Sequence, residues 1–112
     1  MITSEADIQD TIQDYLVLTG WLVMRINGGR ASRSLAYYRW TAGTMGSKTT
    51  GVADLLAWRD GVCLAVECKA PGGKVNSSQV MCLGEAAARG MMAVVAHSLA
   101  DVQAAILEDV RR

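Results

Sequence analysis

Apolar positions recur along the chain with two different periods, and the change of period predicts a series of helices and strands. Helical spacing of three and four residues predicts three helices, which begin at Ser4, Asn76 and Ser98. Short apolar runs between turn residues predict four strands, at 21–27, 54–58, 62–68 and 91–96. The predicted order is α-β-β-β-α-β-α, with a long segment between the first two strands. This order predicts an α/β fold in which helices flank a central mixed β-sheet.

The predicted helices have capping signals and inward faces. Ser4 with Asp7, and Asn76 with Gln79, have the spacing of an N-terminal capping box. The residues predicted to face inward are Ile8, Ile12 and Leu16 in the first helix, Val80, Leu83 and Ala87 in the second, and Val102, Ala105, Ile106 and Val110 in the third. Glu5 falls in the same arc as the inward residues of the first helix, whereas Asp7, Asp10 and Asp14 fall on the opposite, solvated side.

The dipeptide Asp60-Gly61 favours a two-residue hairpin turn between the second and third strands. Counting outward from this turn places Asp54 directly opposite Glu67. Two facing carboxylates destabilise an antiparallel pair by a few tenths to about 1 kcal/mol unless a cation lies between them. The predicted register therefore indicates a divalent metal site.

Side chains alternate along a strand, so Glu67 and Lys69 project from one face about 6.6 to 6.8 Å apart while Cys68 points into the opposite, apolar side. The carboxylates of Asp54 and Glu67 with the backbone carbonyl of Cys68 form an oxygen ligand set that suits Mg²⁺ or Mn²⁺. Lys69 would orient or deprotonate a water, or offset negative charge in a transition state. The alternative is an exposed strand ion pair, which the apolar flanking residues disfavour.

The segment between the first two strands is the basic part of the chain. Residues 15–53 carry five basic and no acidic residues, although the formal net charge of the whole chain is zero. A polyanion senses charge within roughly 8 to 10 Å, so a neutral total does not exclude DNA. The candidate DNA contacts are Arg30, Arg33, Arg39, Lys48, Tyr37, Tyr38 and Trp40. The alternative for this set is a solvated loop.

Length and composition exclude several classes of protein. A chain of 112 residues with 51% hydrophobic and 20% charged residues is expected to form one globular domain over 1–112. Without an apolar run of about 18 residues, or a basic and apolar leader, a cytoplasmic protein with no membrane contact is expected. Three cysteines without a paired spacing predict reduced thiols, and His97 is the single histidine, which disfavours Ser/His and Cys/His hydrolases.

The motif Gly51-Val52-Ala53-Asp54, twelve further residues, Glu67-Cys68-Lys69 and then Gln79 resembles the PD-(D/E)xK nuclease superfamily. Within it the chain is similar to the VRR-NUC family of virus-type replication and repair nucleases. The likeness also covers Glu5, the segments 25–29 and 71–73 and the tail 93–98, and so spans nearly the whole chain. Ala53 stands where the superfamily often has proline, which affects only the entry to the strand.

The resemblance implies a restriction-endonuclease-like core and a metal-dependent endodeoxyribonuclease. It implies Asp54, Glu67 and the Cys68 carbonyl as metal ligands, Lys69 as the catalytic lysine, and Glu5 and Gln79 as completing the site. Glu5 and Gln79 also have purely helical interpretations, as a charge favourable to a helix N-terminus and as a cap. The resemblance further implies a homodimer acting on branched DNA such as four-way junctions. The alternatives are a flap or duplex nuclease, a DNA-binding module that does not cleave, and a protein-interaction domain.

Overall fold

In the computed structural model, residues 3–26, 39–42 and 50–110 are described. The order of elements within these residues is the predicted one, with small shifts at the boundaries of helices and strands. The elements are α1 (Glu5–Leu18), β1 (Leu22–Arg25), β2 (Leu55–Arg59), β3 (Val62–Cys68), α2 (Ser77–Ala88), β4 (Met92–Ala96) and α3 (Leu99–Val110). The prediction of an α/β fold is therefore confirmed.

The four strands form one mixed sheet in the order β1-β2-β3-β4. β1 pairs with β2 and β2 with β3 in antiparallel fashion, whereas α2 crosses over to make β4 parallel to β3. The turn between β2 and β3 has positive φ at both Asp60 (50°) and Gly61 (79°), as a two-residue hairpin turn of type I′ requires. This turn sets the register in which Leu55 faces Val66, and the predicted register is confirmed.

Helices cover both faces of the sheet. On one face α1 and α3 enclose the larger core, in which Ile12, Leu16, Leu55, Leu64 and Val102 are fully buried. On the other face Leu83 of α2 packs over the small side chains of β3 and β4. Side-chain alternation thus divides β3 between the two cores, because its even-numbered residues face α1 and its odd-numbered residues face α2.

The inward faces of two helices differ from the prediction. In α2, Val80 is 53% exposed and Ala87 is exposed, and the residues turned to the sheet are Gln79, Cys82, Leu83 and Ala86. This stripe also has helical spacing, but it is rotated so that the polar Gln79 faces the sheet. In α3, Val110 is 73% exposed because it borders a surface cavity beside Asp60 instead of the core. No helix within the described residues is long and apolar enough to cross a membrane.

Candidate active site

The two acidic residues singled out from the sequence lie side by side where β2 begins and β3 ends. Asp54 immediately precedes β2 and Glu67 is the penultimate residue of β3, so the observed register continues to this pair. Both are buried, with relative exposures of 6% and 2%. The Asp54 Oδ2 atom accepts a hydrogen bond of 2.8 Å from the backbone N–H of Cys68. Asp54 is thereby tied to the strand that carries Glu67.

The carboxyl groups of this pair are held against their ionised forms. Burial first, and then the charge of Asp54, raise the pKa of Glu67 from 4.5 to about 8. Burial also raises the pKa of Asp54, although the N–H of Cys68 opposes that effect. The side chains of Asp54 and Glu67 lie within hydrogen-bonding distance of each other, and no other donor reaches the buried Oε1 atom of Glu67. A buried acceptor without a donor, beside a second carboxylate, is the kind of environment that a cation would stabilise.

Gln79 links the carboxylate pair to α2. Its Oε1 atom accepts from the Asn76 backbone N–H at 2.9 Å, which completes the capping box, and its Nε2 atom donates to Glu67 Oε2 at 3.1 Å. Gln79 therefore caps α2 and also contacts Glu67. The segment that leads to Asp54 passes close to the start of α2, because a Cβ atom on Gly51 would lie 2.9 Å from the Gln79 backbone nitrogen. A glycine is required at this point to bring the segment leading to Asp54 against α2.

Lys69 lies one residue beyond the end of β3, on the same side as Glu67. Its Nζ atom is 3.7 Å from Glu67 Oε2, and the two side chains are only 13% and 3% exposed. The predicted proximity of Glu67 and Lys69 is confirmed. A cation largely removed from water next to a buried carboxylate interacts more strongly than a surface pair would.

Glu5 approaches the pair from the other helix layer. It is the first residue of α1 and is itself exposed. Its charge is near enough to raise the pKa of both Asp54 and Glu67. The structure thus brings all five candidate catalytic residues to one end of the sheet, with Glu5 at the solvent side.

The donor set at this end is made of oxygen atoms. Asp54 and Glu67 contribute two buried carboxylates. Among the described residues, no group of three or more His, Cys, Asp or Glu side chains is placed to hold a metal ion. The N–H of Lys69 donates to the Ala96 carbonyl on β4. By alternation, the N–H and C=O of Cys68 point to the opposite side, toward β2 and Asp54. The ligand set consists of the Asp54 and Glu67 carboxylates, including the buried Oε1 atom of Glu67, and the backbone carbonyl of Cys68. These oxygen atoms fit a hard divalent cation such as Mg²⁺ or Mn²⁺.

The Cys68 thiol points away from the carboxylates, into the core under α1, and is fully buried. Burial, with the nearby carboxylates, raises the pKa of this thiol. A thiol held in its neutral form does not ligate a metal or act as a nucleophile. Cys68 therefore contacts the carboxylate pair through its backbone N–H, which donates to Asp54. Cys63 and Cys82 are also free thiols.

Most of the predicted DNA contacts lie outside the described residues, namely Arg30, Arg33, Tyr37, Tyr38 and Lys48. Arg39 is exposed and Trp40 is half-buried. The indole N–H of Trp40 donates to the Thr50 carbonyl at 2.9 Å, so this ring joins the chain on either side of 43–49. Trp40 has a structural contact that its place among basic residues did not reveal.

Several polar contacts near the site, and one buried polar residue, are not predicted from the sequence. Arg25, counted as part of the basic segment, donates from Nη1 to Asp10 at 2.6 Å and to Gln13 at 3.2 Å. Asp10 is therefore not only a solvating residue of α1. Gln9 is buried at 4% exposure, and no apolar periodicity marks it. His97 also contacts Gly73, which lies 24 positions earlier in the sequence. The only sequence signal for these contacts is the placement of polar residues at strand ends and within the inward arc of a helix.

Comparisons with protein-family models, curated proteins and solved structures gave no match to this chain.

Proposed function

We propose that this protein is a metal-dependent endodeoxyribonuclease with a PD-(D/E)xK core of the VRR-NUC type. The observation that carries the proposal is the buried pair of Asp54 and Glu67, with an unpartnered carboxylate oxygen, beside Lys69. Without a cation such a pair costs free energy, because either one carboxyl group must keep its proton at neutral pH or two like charges must share a site that is shielded from water. A bound metal ion would offset this cost, which gives a reason for two acidic residues to be buried together.

Asp54, Glu67 and the Cys68 carbonyl are the residues proposed to hold the metal. When bound, Mg²⁺ or Mn²⁺ would supply Lewis-acid polarisation of a phosphate oxygen and acidification of a water. Gln79 donates to Glu67 Oε2 and fixes the rotation of this carboxylate. The backbone N–H of Cys68 donates to Asp54 Oδ2 and fixes the rotation of that carboxylate. Lys69, within 4 Å of Glu67, is placed to hold the attacking water or to offset charge that develops on the phosphate.

DNA is the proposed substrate because residues 26–53, beyond the Arg25 that pairs with Asp10, carry four basic residues and no acidic ones. Arginine binds phosphate in a bidentate manner, and the tyrosine and tryptophan residues at 37, 38 and 40 are residue types on which bases stack. The preference for branched DNA, and a homodimer that places two active sites about a two-fold axis, are proposals that depend on the family resemblance.

The test is cleavage of labelled four-way junction, flap and linear duplex DNA by the purified protein. We expect cleavage with Mg²⁺ or Mn²⁺, none with chelator, and loss of cleavage in the Glu67→Gln and Lys69→Met variants with DNA binding retained. Glu85→Gln is the matched control, since Glu85 pairs with Arg89 on the outer surface of α2. A Glu67→Gln variant that cleaves like the wild type would contradict the proposal.

The same experiment separates the alternatives. Junction-selective cleavage supports the proposed substrate, and equal cleavage of flaps or linear duplex indicates a broader nuclease. DNA binding without cleavage under any metal condition indicates a binding module. The absence of salt-dependent DNA affinity would indicate a protein-interaction domain.

A further inference from the structure

The chain that follows β3 forms a tight turn immediately beyond Lys69. The backbone N–H of Gly73 donates to the Ala70 carbonyl at 2.8 Å and closes this turn. Where the turn starts, the N–H of Lys69 donates to the Ala96 carbonyl at the end of β4, at 2.9 Å. This hydrogen bond fixes the backbone of Lys69 to the end of β4. The direction of the turn after Lys69 depends on a second contact, at the other end of the turn.

His97 makes this second contact. Its ring Nε2 atom lies 2.9 Å from the Gly73 carbonyl oxygen. A carbonyl oxygen only accepts, so Nε2 must carry the proton and donate it. The backbone N–H of His97 donates separately to Asp101 Oδ2 at 2.8 Å, which fixes the residue at the start of α3. Consecutive residues at the end of β4, Ala96 and His97, therefore hold both ends of the 69–73 segment.

Gly73 transmits this restraint to the lysine. A Cβ atom at position 73 would lie 3.4 Å from the Lys69 Cβ atom and 3.0 Å from the Ala70 carbonyl oxygen. A side chain at position 73 would therefore contact the first carbon of the Lys69 side chain, which places the Gly73 backbone next to Lys69. We expect a shift of this backbone to change the space open to the Lys69 side chain.

We propose that His97 and Gly73 are positioning residues that hold the Lys69 side chain toward the Asp54–Glu67 carboxylates. The inference deepens the proposed nuclease function and rests on it for its catalytic consequence. His97 does not touch the carboxylates; it acts through the Gly73 carbonyl and the turn. His97 is the only histidine in the sequence, and its position in the sequence alone predicts no catalytic role. The structure connects its ring, through the Gly73 carbonyl, to the turn that follows Lys69.

The test combines kinetics with a direct probe of Lys69. His97→Ala removes the ring but leaves the backbone hydrogen bond to Asp101, and His97→Gln places an amide N–H donor at a similar reach. We expect His97→Ala to lower kcat for DNA cleavage about ten- to a hundredfold with KM for DNA unchanged. We expect His97→Gln to restore most of the rate. Gly73→Ala, whose Cβ atom would press on the Ala70 carbonyl oxygen and contact the Lys69 Cβ atom, should shift the turn and lower kcat in the same way.

The second readout needs no catalysis. The chain has three lysines, Lys48, Lys69 and Lys74, so reductive ¹³C-methylation gives a simple NMR spectrum that Lys→Arg variants assign. In His97→Ala the Lys69 methyl signal should move toward its position in urea-unfolded protein, while the Lys48 signal stays in place. In His97→Gln the Lys69 signal should keep the wild-type position.

A Lys69 signal that is unchanged in His97→Ala overturns the inference, whatever the cleavage rate. A fall in kcat that His97→Gln does not rescue also overturns it, because the ring would then act by another route. A wild-type protein that cleaves no DNA contradicts the proposed function instead, and the NMR comparison still tests the positioning of Lys69.

Discussion

Replacing Glu67 by glutamine should make the metal-free protein more stable, by an amount that grows with pH. Glu67 is 2% exposed, and its pKa is raised from 4.5 to about 8 by burial and by the charge of Asp54. Because the folded state holds this proton more tightly than the unfolded state, stability is retained below pH 4.5 and is lost as the pH rises through 8. Glutamine has nearly the same shape and carries no charge.

The magnitude follows from the two pKa values. At 1.36 kcal/mol for each pKa unit, the change from 4.5 to about 8 corresponds to a loss of at most about 5 kcal/mol of wild-type stability across this pH range. Glu67→Gln avoids this loss and can keep the bond from Gln79 through its amide oxygen. The variant should therefore match the wild type near pH 4.5 and exceed it by several kcal/mol at pH 8.

Urea unfolding followed by circular dichroism, in chelator at pH 5, 6, 7 and 8, measures the difference directly. Glu85→Gln is the control, because its surface pair with Arg89 is worth only about 0.3 to 0.5 kcal/mol. A difference between wild type and Glu67→Gln that does not change with pH would refute the reasoning. So would a variant that is less stable than the wild type at pH 8.

Three further predictions concern the same end of the sheet. Millimolar Mg²⁺ or Mn²⁺ should raise the unfolding temperature of the wild type, more at pH 8 than at pH 6 because the proton on Glu67 must leave, and should not raise that of Glu67→Gln. Asn76→Ala removes the acceptor for the Gln79 N–H and should lower the free energy of unfolding by about 1 kcal/mol, measured by urea unfolding. Gly51→Ala, at φ 92° and 2.9 Å from the Gln79 backbone, should destabilise by about 1 to 3 kcal/mol. In contrast, Gly84→Ala, which has open space inside α2, should stabilise by about 0.5 to 1 kcal/mol; equal effects of the two glycine variants in thermal unfolding would contradict the packing described.

The order of elements and the register of the hairpin were predictable because local physics determines them. The Asp60-Gly61 turn has positive φ at both residues and leaves one possible alignment of its strands. That alignment alone brings Asp54 and Glu67 together. The capping boxes at Ser4 and Asn76 likewise depend on residues only three positions apart.

Contacts between distant segments could not be predicted in this way. The inward face of α2 is rotated relative to the prediction because Gln79 turns to Glu67, which no hydrophobic period records. His97 and Gly73 meet only because β4 is parallel to β3 and ends beside the turn after Lys69. Arg25 and Asp10 pair because α1 packs across β1. Each of these contacts depends on how the strands are ordered or on how the helices pack on the sheet, and single-sequence periodicity specifies neither.

Crystals of the protein grown or soaked in Mn²⁺ and measured at a wavelength that excites manganese would test the central claim most directly. The account predicts an anomalous peak between Asp54 and Glu67, about 2.0 to 2.4 Å from an oxygen of each, and its absence in Glu67→Gln crystals. A wild-type map without that peak, or with Mn²⁺ bound only at other residues, would contradict the assignment of these buried acids as a metal site.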